Sequence, residues 1–153
     1  MNLSKTKRLT TPQGGALIFI QALIEYIKGT ELGEEFMTHA IFEDDLVRGD
    51  LSRADRYRLV RVHEFMARAY VDGTSPDTCY RIPDKDEMRL RFRDQTKYVG
   101  SIASGRYKVF VWSGEEELSA RPMTLKRNDD GIWKVVEFSS MTLPLKGYET
   151  CLE

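Results

Sequence analysis

An α+β fold, with N-terminal helices packed on one face of a curved antiparallel sheet of about four strands, is predicted by three observations. Up to Tyr70 apolar residues recur every three or four positions, the period of a helix face. Beyond a connection rich in Gly, Pro, Ser and Asp, the pattern changes to strict alternation. The stretch RPMTLKRNDDGIWKVVEF, residues 121–138, then reads as two strands and a tight turn. Helices first and consecutive antiparallel strands afterwards make a two-layer arrangement. A single domain over 1–153 is expected, with a helical half at about 11–70 and an antiparallel β half at about 86–143.

Each element has a local cause. Thr11 is placed to cap a helix that Pro12 begins, because proline fits the first helical position where its missing N–H is not needed. Ala16, Ile20, Leu23 and Ile27 share one face of it, and Leu17 and Ile24 widen that face. Gly29 ends the helix and Thr30 caps the next, whose Glu31, Glu34 and Glu35 suit a helix N-terminus. A third helix is read through LSRADRYRLVRVHEFMARAY from a capping box at Ser52 and Asp55, with Leu59, Val62 and Met66 as its core stripe. In EMRLRFRD, Met88, Leu90 and Phe92 alternate with Arg89, Arg91 and Arg93, the pattern of a half-buried strand. GRYKVFVWSG follows as a second strand, with Tyr107, Val109 and Val111 opposite Phe110 and Trp112. Trp133 and Val135 of the final hairpin should pack on the helices.

Composition narrows the function classes. Hydrophobic residues make up 41% and charged residues 31%, the balance of a soluble globular chain. Lys plus Arg (23) nearly balance Asp plus Glu (24), which removes the global field a non-specific nucleic-acid binder uses. The apolar run near the start is interrupted by Gln21 and Glu25 and is too short to span a bilayer, so neither a signal peptide nor a membrane segment is read there. Cys79 and Cys151 allow one disulfide but imply no framework, and reduced, cytoplasmic residence is the expectation.

The order of elements, and especially RPMTLKRNDDGIWKVVEFSS preceded by YKVFVWSG and TPQGGALIFIQALIEY, resembles an uncharacterised family of small bacterial proteins. Their shape looks like the nuclear-transport-factor-two-like, or cystatin-like, α+β cone. That superfold includes small isomerases and dehydratases beside non-catalytic dimers, adaptors and immunity proteins, so the resemblance implies a fold and carries over no catalytic residue.

No catalytic motif stands out, and no catalytic residue is assigned. The acidic runs at Glu43, Asp44, Asp45 and at Asp84, Asp86, Glu87 lack the spacing of a calcium loop, so no metal and no cofactor is expected. Arg89, Arg91 and Arg93 are more informative, because strand alternation sets them on one side at intervals of about 7 Å. A solvated sheet face explains them, and so does a basic surface meeting an acidic partner. The strip lacks the aromatic residues with which β-sheet RNA readers stack bases. With Phe110 and Trp112 it forms the candidate protein-interaction site, on a non-catalytic domain that binds another protein or itself as a homodimer, in the manner of an adaptor, accessory or immunity protein linked to a toxin or secretion system. The alternative is a small cone-type enzyme or ligand binder, with His63 and the carboxylates of Asp94 or Glu137 in a pocket between helices and sheet. A deep cavity would favour the second reading; a filled core and an aromatic-basic face would favour the first.

Overall fold

The computed structural model describes residues 10–83, 87–94, 100–114, 120–145 and 151–152. Among them four α-helices come first: α1 (Pro12–Ile27), α2 (Glu31–Ala40), α3 (Arg53–Leu59) and α4 (Glu64–Arg68). Strands β1 (Gly100–Ser101), β2 (Arg106–Val111), β3 (Arg121–Arg127) and β4 (Trp133–Glu137) follow, antiparallel and in sequential order. Three strands form the body of an open sheet, and β1 adds a two-residue pairing at the β2 edge. Among the described residues no helix is long and apolar enough to cross a membrane.

The caps lie where the sequence places them. Thr11 Oγ1 accepts the Gly14 N–H at 3.0 Å, Thr30 Oγ1 that of Gly33 at 3.0 Å, and Ser52 Oγ that of Asp55 at 3.1 Å. Helix α1 is buried more widely than one stripe: Ile18, Phe19 and Ala22 are inside together with Ala16, Ile20, Leu23 and Ile24. It lies so close to the sheet that a Cβ on Gly15 would stand 2.6 Å from the Trp133 carbonyl oxygen and 2.7 Å from Leu125 Cδ2. Trp133, Val135, Met123, Leu125, Val109 and Val111 meet it from the sheet, so the space between the layers is filled by side chains.

Two expectations are corrected. The third helix divides at Val60–His63 into α3 and α4. His63 takes extended backbone (φ −79°, ψ 149°), which interrupts the helix; Leu59, Ala67 and Tyr70 belong to the main core, whereas Val62, Phe65, Met66 and Ala69 build a second cluster with Tyr80 and Leu145. Nor do residues 88–93 form a full strand, for Phe92 and Val111 make only an isolated bridge. Main-chain bonds from Arg93 N–H to the Phe110 carbonyl (2.8 Å) and from Trp112 N–H to the Arg91 carbonyl (2.9 Å) flank that bridge. The Arg89 carbonyl instead accepts the Asp72 N–H at 2.7 Å, so the segment divides its hydrogen bonds between β2 and a loop. Its alternation survives: Met88, Leu90 and Phe92 are half-buried against the core while Arg89 and Arg91 are exposed.

Cys79 and Cys151 are joined in a disulfide, their Cα atoms 5.5 Å apart across 72 positions of sequence. Cys79 and Tyr80 both adopt left-handed backbone, with φ of 50° and 60°. Arg68 holds this turn, donating from Nη2 to the Cys79 carbonyl (3.0 Å) and from Nε to the Tyr80 carbonyl (3.1 Å).

Candidate functional site: the open face of the sheet

Pairing register decides which side chains share the sheet face opposite the helices. Val109 is opposite Met123 on the core side. The alternate pairs Arg106 with Lys126, Lys108 with Thr124 and Phe110 with Pro122 therefore point the other way. The 91–93 segment extends this face. Since Phe92 bridges Val111 on the core side, its neighbours Arg91 and Arg93 fall beside Trp112 and Phe110. The Arg93 guanidinium carbon stands 4.4 Å from the centre of the Phe110 ring, within the range in which a cation is attracted to an aromatic face.

Four of the five residues expected to form an interaction face are thus gathered at one end of the sheet. Arg89 lies further along the same segment, its side chain 74% exposed and 3.7 Å from Glu87. Arg91 Nε meets one Asp72 oxygen at 3.3 Å, again with both side chains well exposed. Single, long, solvent-screened contacts of this kind contribute little, so an incoming carboxylate can replace them at small cost.

The other end of the face is a groove of about 880 Å³, lined by Arg106, Lys108 and Lys126 and by Asp44, Asp45 and Glu137. Its charges compensate one another. Burial, together with the neighbouring Asp44, raises the Asp45 pKa above its ordinary value. Glu137 is held below the usual carboxylate range by its hydrogen bonds with Ser139, whose N–H donates to Oε1 at 2.8 Å. Glu43 is also lowered: burial opposes ionisation there, but Lys134 at 2.8 Å and the Asn128 side-chain amide at 2.8 Å outweigh it. Among the described residues no three His, Cys, Asp or Glu side chains could hold a metal ion; Asp84 and Asp86 lie outside them.

The three residues considered for a shared pocket do not converge. His63 borders a recess of about 510 Å³ on the helical side, Asp94 a depression of about 390 Å³ beside Phe110, and Glu137 the mixed-charge groove. Among the described residues the three therefore border separate hollows, and the layer between helices and sheet is packed with side chains. Sequence reasoning missed Arg121, which opens β3 yet donates to the Tyr70 hydroxyl and to the carbonyls of Ser140, Leu143 and Pro144. Arg58 and Arg61, both exposed, line the recess with His63.

Fold and face together define an α+β domain with a basic, aromatic sheet surface. The chain belongs to the DUF6935 family, described as a domain of unknown function, whose model matches residues 1–147. No curated protein and no solved structure matches it.

Proposed function

We propose that this domain is a non-catalytic protein-interaction module whose face of Arg91, Arg93, Phe110 and Trp112 binds an acidic segment of another protein. The observation that supports the reading is the Arg93–Phe110 stack at 4.4 Å, set beside Arg91 and Trp112 by main-chain hydrogen bonds. Aromatic and Arg side chains are the types in which binding energy concentrates, and here they are half-exposed and already oriented. Arg89 and Arg91 supply guanidinium forks whose present carboxylate contacts are weak enough to exchange.

The resemblance to the nuclear-transport-factor-two-like cone extends the proposal to a bacterial adaptor, accessory or immunity protein, since that superfold includes non-catalytic members of these kinds. The Cys79–Cys151 disulfide fits an oxidising compartment better than the reducing cytoplasm expected from the two separated cysteines.

Replacing Arg91 and Arg93 together by Glu tests the face. The fold should be retained, with about 1 kcal/mol lost through the Arg93–Phe110 stack and less than about 0.5 kcal/mol at exposed Arg91. A partner retained by the tagged wild-type chain should be lost by the variant, and its binding segment should be acidic. A partner retained equally by both would remove the face from the account. A concentration-dependent dimer abolished by the same variant would assign the face to self-association instead.

A further inference from the structure

We infer that the recess between α3, α4 and residues 142–144 is a binding site for a small organic carboxylate with an apolar body. It shares no lining residue with the sheet face, and at about 510 Å³ it is within the size range of small-molecule sites. One wall is cationic. Tyr57 and Arg58 lie three and four positions after Ala54, so all three border the recess from α3, and the turn after the helix adds Arg61 and His63. Arg61 lies over the Tyr57 ring at 5.5 Å and the His63 imidazole stacks on Phe65 at 5.4 Å, so both are oriented. Among the described residues, neither Arg61 nor His63 makes an ion pair, and Arg58 has a single 3.4 Å contact with Asp55. With Asp55 behind Arg58, the surplus of positive charge suits one carboxylate better than a phosphate dianion.

The other wall is apolar and fixed. Met66, buried, and Leu143, 56% exposed, both line the recess. One guanidinium, that of Arg121, satisfies the Leu143 and Pro144 carbonyls at 2.6 and 2.8 Å, together with the Ser140 carbonyl and the Tyr70 hydroxyl. This wall is therefore held in place before any ligand arrives, which lowers the ordering cost of binding. Tyr57, 65% exposed, supplies an aromatic edge at the mouth. A recess with guanidinium and imidazole donors on one side and Met, Leu and Tyr surface around them matches a molecule that is anionic at one end and apolar at the other.

The probe is 4-phenylbutanoate, titrated into the full chain and followed through backbone amide shifts, with 4-phenylbutanol and inorganic phosphate as comparisons. Saturable shifts confined to residues 57–66 and 142–143 are expected with the acid. The alcohol and phosphate should each bind at least roughly ten-fold more weakly, and Arg61→Gln combined with His63→Gln should weaken the acid by roughly ten-fold at unchanged melting temperature. Equal binding of acid and alcohol, equal binding of acid and phosphate, unaltered binding by the double variant, or no saturable shift in these residues would each overturn the assignment.

Discussion

At the scale of single residues, the same physical groups carry different roles according to their partners. Arg121 is consumed by main-chain carbonyls and builds a wall, while Arg93 spreads over an aromatic ring and remains part of a surface. The sequence alone cannot separate these fates, because a β-strand start and a strand-borne strip both present simply as arginine. Glu137 offers a titratable example. Its hydrogen bonds with Ser139 lower its pKa from the ordinary 4.5 in the folded chain, so it stabilises the fold above its unfolded pKa and loses that contribution as pH falls through the lowered value. Glu137→Gln should therefore melt below the wild type at neutral pH, and the gap should narrow on acidification through the range below 4.5. Parallel melting curves at every pH would mean the capping bond at Ser139 contributes nothing.

At the scale of elements, the best-predicted parts are those whose signals are local. Thr11, Thr30 and Ser52 cap helices exactly where hydroxyl, proline and apolar spacing indicate, and the Asn128–Gly131 turn follows from Asn128 Oδ1 accepting two N–H groups and from Gly131 at φ 79°. What was not legible depends on distant partners. The break between α3 and α4 falls at the extended backbone of His63, and the 88–93 segment keeps a strand's alternation without its ladder because the Asp72 N–H takes one carbonyl. Of the candidate site, Phe110, Trp112 and the Arg alternation could be read, but the stacking of Arg93 on Phe110 depends on that non-local pairing. Helix packing gives a further prediction. Gly15→Ala would gain about 1 kcal/mol of helix propensity, yet its Cβ would press on the Trp133 carbonyl and Leu125, and overpacking costs about 1–3 kcal/mol. A net loss of stability is expected in denaturant titration; a more stable variant would mean α1 can move away from the sheet.

At the scale of the whole molecule, the disulfide ties Cys151, near the C-terminus, to the turn beneath the second cluster. Replacing both cysteines by Ser should cost about 4.4 kcal/mol on the chain-entropy account for a separation of 72 positions, and should abolish the effect of reductant on melting temperature. A variant as stable as the oxidised wild type would show that packing alone holds this region. The central claim, however, concerns the sheet face. Its most direct test is an amide-shift titration of the oxidised chain with an extended Asp- and Glu-rich peptide at low and high salt. The account predicts saturable shifts centred on residues 91–93 and 108–112, weakened by salt and absent from the Arg91→Glu, Arg93→Glu variant. Shifts confined to other surfaces, or undiminished binding by that variant, would contradict it.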